Sequence, residues 1–293
     1  TFFSSHCRFE SCRSFLVETL KTSTGDCEGM AREFTMDRRA YLATLGTGTA
    51  AGLAGCTGLT GGGGGNTIRP GTAPGFQPFE FREGGELVGF DIDLTEAVVG
   101  ETDYELGEWQ TFEFDSLIPA LTQNEEIDVI AAAMTITEDR QETIAFSDPY
   151  WESDQAILVR EGGDFQPSSW EDFEGVRVGA QSGTTGADQV SSNLVEPEII
   201  TEDDYSSYDS YVFAVEDLAN ENVDAVVIDL PVAETFAANR DVAVAFVEET
   251  GEQFGFGIRQ GESEFQSALN DGLATVRDDG TYSEITSTWF GQE

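Results

Sequence analysis

"EEIDVIAAAMTITEDRQETIAFSDPYWES", residues 125–153, decides how this chain is read. Its apolar run "DVIAAA" (128–133) has the length of a buried strand. Just behind it, Thr137 precedes Glu138 and Asp139. A hydroxyl acceptor followed by two acids is the signature of a helix start, where free N–H groups and the positive end of the dipole lie. A strand handing over to a helix is half of a βα unit, and in open α/β sheets ligands gather at the carboxyl ends of such strands. The same stretch holds Arg140, the only basic residue between Arg82 and Arg160, an interval with twenty Asp and Glu. A lone cation in so acidic a field needs a reason.

The pattern repeats outward from this stretch. Short apolar runs at 86–90, 156–160, 176–180, 223–229, 242–247 and 254–259 read as strands, and 115–123, 208–220 and 262–278 read as amphipathic helices. Such alternation predicts an α/β fold with mostly parallel sheets. A second strand-to-helix turn with ligand-binding potential is "QSGTTGA" (181–187), after "VRVGA".

Composition limits the chemistry. The 293 residues carry 56 Asp plus Glu against 14 Lys plus Arg, a net charge of −42. Residues 1–56 hold six acids and six bases, so the whole excess lies after Cys56, where 50 acids face eight Arg and no Lys. At about 1 M salt the Debye length falls to about 3 Å and this repulsion is screened, which marks a halophile's protein. With 39% hydrophobic and 11% aromatic residues the chain can build a core. Nucleic acid and anionic membrane surfaces are poor partners for this charge, and no nucleic-acid partner is expected. After Cys56 there is no His, Lys or further Cys, which removes Ser-His-Asp triads, thiol nucleophiles, Schiff-base lysines, P-loops and His or Cys zinc sites. No catalytic residue, metal or cofactor is expected.

"MDRRAYLATLGTGTAAGLAGC" (36–56) resembles a twin-arginine export signal ending in a lipobox. Cys56 would be the lipidated first residue of the mature protein, and 57–66 a Gly-rich tether. Residues 1–35 are left without a role, as an upstream region translated from a miscalled start. Cys7, Cys12 and Cys27 lie there, so no structural disulfide is expected.

Six collinear stretches carry a family resemblance: "GTAPGFQPFEF…GELVGFDIDL", "LIPAL…EEIDVIAAAMTITEDRQETIAFSDPYWES", "EDFEGVRVGAQSGTTG", "VDAVVIDLPVA", "FGFGIRQG" and "DGTYSEITSTWFG". From about residue 67 to 291 the chain resembles the polar amino-acid type of extracellular solute-binding protein, family 3, in a haloarchaeal-like version. The resemblance implies a two-lobed periplasmic-binding-protein-like fold (type II), each lobe a mostly parallel sheet flanked by helices. It places lobe 1 at 67–157 and 255–293, lobe 2 at 158–254, and crossover strands near 156–160 and 250–256. It implies a monomer, lipid-anchored at the outer face of the cytoplasmic membrane, that passes an amino acid to the permease and ATPase of an ABC importer.

The same resemblance distributes roles. Arg140 would hold the ligand carboxylate, which a planar guanidinium can grip bidentately. Thr135 and Thr185 would add donors. Asp229, with the carbonyls of Ala132 or Ala133, would take the ammonium. Phe76 and Phe114 would sandwich the aliphatic part, and Gln181 would serve one polar group. Without the motif context Arg140 reads as a solvated helix partner, Asp229 as an N-cap before Pro231, and the two rings as core. Where relatives often have Asp this chain has Ala73, and where some place a basic or imidazole group it has Gln181 and Ile228. An uncharged ligand side chain is therefore expected, unless Glu80 or Asp188 reaches in, which sequence does not fix. The alternatives on the same fold are a dehydratase-type enzyme and a binding protein that presents its ligand to a receptor.

Overall fold

Two five-stranded sheets form, each around a run that is apolar enough to be buried on both faces. In one, the strands lie in the order Gln110–Thr111, Pro70–Thr72, Val129–Ile130, Gly257–Arg259, Ile144–Phe146. In the other the order is Tyr205–Tyr208, Val178–Gln181, Ala225–Asp229, Trp151–Arg160, Val242–Phe254. This computed structural model describes residues 66–291. The signal expected at 36–56, Cys56, the three earlier cysteines and nearly all of the tether lie outside the described residues. No helix among the described residues is long and apolar enough to cross a membrane.

The expected parallel pairs are present. Pro70–Thr72 runs parallel to both of its neighbours, and so does Val178–Gln181. Helical crossovers separate most of these pairs in the chain, as parallel strands require. Each sheet also carries two antiparallel pairs, because Gly257–Arg259 and Trp151–Arg160 run against their neighbours. These belong to the stretches that carry the chain between the sheets. It enters the second sheet along Trp151–Arg160 and leaves along Val242–Phe254, and the two strands pair from Val242↔Arg160 to Phe254↔Trp151. Their register shifts between Glu248 and Glu252, around Gly251 at φ 62°.

Ion pairs gather at the amino ends of the central strands, away from the ligand-binding ends. Asp128, just before Val129–Ile130, takes Arg69 (2.8 Å) and Arg259 (2.7 Å). Asp224, just before Ala225–Asp229, takes Arg160 (3.0 Å) and Arg177 (2.9 Å). Burial pushes the Asp128 carboxyl up, but hydrogen bonds from Arg69 and Arg259 outweigh it and bring it to about 2. Half of the eight arginines after Cys56 are thus committed to two aspartates.

Helix Ser263–Asp278 buries Phe265, Leu269, Gly272, Leu273 and Val276, the stripe predicted from its 3.6-residue period. It packs on helix Phe90–Gly100, whose N-terminus is set by Gly89 at φ 140°. A Cβ there would lie 2.0 Å from the Phe79 carbonyl oxygen, so only glycine lets the helix start sit against the 76–80 loop. The expected strand at 86–90 is shorter, Glu86–Val88, because Phe90 already begins this helix.

Candidate functional site

The nine residues nominated as ligand contacts surround one enclosed cavity with an open volume of about 20 Å³. Its walls lie nearly closed on one another, well below the roughly 300–1,000 Å³ of ligand sites. A wider groove of about 1,020 Å³, beside Pro74, Arg82 and Arg240, opens to solvent and shares none of these residues. The enclosed cavity is the better candidate because buried polar groups converge on it.

Local folding explains how Arg140 arrives there. Thr137 caps helix Glu138–Gln141 by accepting the Arg140 N–H (3.2 Å), as its position predicts. The guanidinium then donates through Nη1 to the Thr135 carbonyl (2.7 Å) and through Nη2 to the Gly183 carbonyl (3.0 Å). It thereby ties the turn after the first sheet to the 181–187 loop of the second. Its Cζ lies 5.3 Å from the centre of the Phe114 ring, a cation–π contact. Burial pulls the guanidinium's pKa down, against the opposing pull of Asp188, Glu252 and Asp229.

Three carboxyls lie in or beside the site. Asp229 ends strand Ala225–Asp229 and is 4% exposed. It makes no side-chain capping bond to helix Leu230–Asn239, and its Oδ1 has no hydrogen-bond partner among the described residues. Burial, then the charge of Glu252, pushes its carboxyl up to about 8. Ile228, expected at the side-chain end of the ligand, is instead fully buried in the core and does not line the cavity. Adjacent strand residues face opposite ways, so a cavity that takes Asp229 excludes Ile228.

Glu80 is the second carboxyl. It is 1% exposed, lines the cavity, and its Oε2 lacks a partner. Burial, followed by the charges of Asp91 and Asp229, pushes it well above the usual carboxylate range. Asp188 does not reach in; it lines a shallower depression on the far side of Thr135 and Thr185.

The third, Glu252, was not singled out from sequence. Its Oε2 accepts the hydroxyls of Thr135 (2.8 Å) and Thr185 (2.7 Å). Glu252 keeps the in–out alternation of "VEETGEQF", on the same side as Glu248, Thr250 and the buried Phe254, so period-2 spacing back from Phe254 is the signal that could have found it. Thr185 opens helix Thr185–Val190, which Thr184 caps by accepting the Ala187 N–H.

The apolar wall comes from Phe76, Phe114 and Ala73. Phe76 also packs at 5.9 Å from Phe79 and 5.6 Å from Tyr211, so it belongs to both cavity and core. The Gln181 amide lines the cavity while donating to the Asp209 carbonyl (3.1 Å). Ala132 and Ala133 complete the floor, and Ala133 has φ 45°, a left-handed conformation costing a non-glycine residue about 1–2 kcal/mol.

Residues 68–292 match the bacterial extracellular solute-binding proteins, family 3. An ABC transporter arginine-binding protein 1 of Escherichia coli is 32% identical over 232 residues, 77% of this chain and 91% of that protein. The solved structure of an ancestral arginine-binding protein bound to arginine is 38% identical, covers 77% of this chain and 99% of that one, and has a TM-score of 0.72. An ancestral amino-acid-binding protein described as a precursor of cyclohexadienyl dehydratase is 32% identical over 77% of this chain and 96% of that one, with a TM-score of 0.70.

Proposed function

Because the chain belongs to family 3 of the bacterial extracellular solute-binding proteins, we propose that it captures an amino acid with a cationic side chain, of the arginine type, for an ABC importer. The observation that carries this reading is the pairing of one guanidinium with two buried carboxyls, each with an unpartnered oxygen, around a single cavity. Arg140 holds the ligand carboxylate. Asp229 and the Ala132 or Ala133 carbonyl hold the ammonium, and Phe76 and Phe114 flank the aliphatic chain. Glu80 meets the distal cation.

An uncharged side chain was expected from Ala73, where relatives often carry an acid. Glu80 changes that balance, because its buried carboxyl supplies an acid from another position. Burying a ligand guanidinium is costly without such a partner, and leaving Glu80 unpaired is costly without such a ligand. A dehydratase would need a carboxyl free to protonate a leaving group. In this assignment both candidates, Asp229 and Glu80, are committed to ligand cations.

The lobes, 67–157 with 255–293 and 158–254, close on ligand by bending at the paired strands Trp151–Arg160 and Val242–Phe254. Cys56 anchors the monomer to the outer face of the membrane.

A thermal-shift panel of the twenty amino acids and ornithine in molar salt tests the ligand class. Arginine, lysine, ornithine or histidine should give the largest shifts, and Glu80→Gln should weaken arginine binding by at least about tenfold, the loss of a buried charge partner. Stabilisation by neutral amino acids alone would return the ligand to the uncharged class.

Binding should also depend on pH. Asp229 has a folded pKa of about 8 against 3.8 for the free side chain, so the folded protein holds the extra proton. Its burial therefore costs stability increasingly as pH rises from 3.8 towards 8. A ligand ammonium favours the ionised carboxylate, so binding releases that proton. Arginine affinity is expected to climb by up to about tenfold per pH unit between roughly 6 and 8, then level off. Calorimetry in buffers of different ionisation enthalpy should register the released proton; a flat profile with no proton release would remove Asp229 from the ammonium site.

A further inference from the structure

Asp91 lies behind the cavity, in the first turn of helix Phe90–Gly100, and is fully buried. Acids in that position usually serve the helix dipole from the surface. This one turns inward. Its Oδ2 accepts the Ala133 N–H (2.7 Å) and the Tyr150 hydroxyl (2.6 Å), both long-range contacts. Ala131 still donates to the Gly71 carbonyl as part of the first sheet (2.9 Å), and Ala133 is the point at which the chain leaves it. Beyond it, Ile136 donates to the Gln253 carbonyl and Gly255 to the Met134 carbonyl, so the chain has joined the strand returning from the second sheet.

The peptide between Ala132 and Ala133 is planar and trans, so its C=O and N–H point in opposite directions. Drawing the Ala133 N–H inward onto Asp91 turns the Ala132 carbonyl outward, and Ala132 lines the cavity. The positive φ of Ala133 is the strained conformation in which this orientation is held.

We propose that Asp91 is the positioning residue for the ammonium end of the site: by holding the Ala133 N–H it aims the Ala132 carbonyl at the ligand ammonium. Asp91 does not touch the ligand. It sets the direction of a backbone acceptor whose own residue could not hold it there. The assignment rests on the amino-acid reading of the cavity given above.

The test compares two ligands that differ only at that end: L-arginine and 5-guanidinopentanoate, which keeps the carboxylate and guanidinium but has no α-ammonium. Asp91→Ala should weaken arginine binding roughly ten- to a hundredfold, the loss of one charge-assisted hydrogen bond, and leave 5-guanidinopentanoate nearly unchanged. Asp91→Asn, which keeps an oxygen for both donors, should retain most of the arginine affinity. Should the alanine variant not fold in molar salt, Asp91→Leu fills a similar volume without an acceptor and carries the same comparison. Wild-type protein that binds no amino acid overturns the reading of the cavity and this assignment with it. Wild-type binding that the substitution leaves intact, or weakens equally for both ligands, overturns this assignment alone, as does an asparagine variant that loses as much as alanine.

Discussion

Arg140→Ala is expected to weaken arginine binding by about 30-fold to several thousand-fold, the roughly 2–5 kcal/mol that follows from truncating one member of a buried charge pair. Two of its five N–H donors are spent on the Thr135 and Gly183 carbonyls. Three remain to meet a carboxylate, on a fork already held in place by those bonds and by the Phe114 ring. Removing the side chain also takes away the cation that attracts Glu252, which holds the Thr135 and Thr185 hydroxyls. Arg140→Lys should recover little of the loss, because a single ammonium on a flexible stem cannot reach both carbonyls and grip the ligand bidentately. Calorimetry in molar salt measures both variants. Binding by a folded Arg140→Ala protein within threefold of wild type would show that the carboxylate is held elsewhere.

The second large effect is on folding itself. After Cys56, 50 acids face eight arginines, and four of those arginines are absorbed by Asp128 and Asp224. Most of the surface carboxylates therefore repel one another. At about 1 M salt that repulsion acts over only about 3 Å, whereas at about 0.1 M it reaches about 10 Å, comparable with the spacing of neighbouring surface charges. Dialysis from molar NaCl or KCl to about 0.1 M should abolish the cooperative thermal transition. Arginine at a hundredfold excess over its dissociation constant should delay the loss by about 2.7 kcal/mol. A melting temperature that stays constant across those salt conditions would remove the case for a salt-dependent protein.

Much of the molecule could be read from residue order because the relevant forces are local. The spacing of Phe265, Leu269, Leu273 and Val276 places one helix face in the core whatever lies opposite. Thr137 caps its helix through a bond to a residue three positions away, which brings Arg140 to the end of the strand before it. The nine nominated residues depended on motif context, since neither Arg140 nor Asp229 declares its partner by itself. Period-2 alternation already contained the exclusion of Ile228 once Asp229 was given to the site.

What only the tertiary structure decided is where the acids point. Glu80 became a cavity carboxyl through the fold of its loop against Gly89. Glu252 met Thr135 and Thr185 through contacts 117 and 67 residues apart in the chain. Asp91 came under Ala133 through a contact 42 residues apart in the chain. Among so many acids, composition cannot separate a buried carboxyl from a solvated one. The difference is a desolvation free energy, set by atoms brought in from distant segments, and no local stretch of sequence contains it.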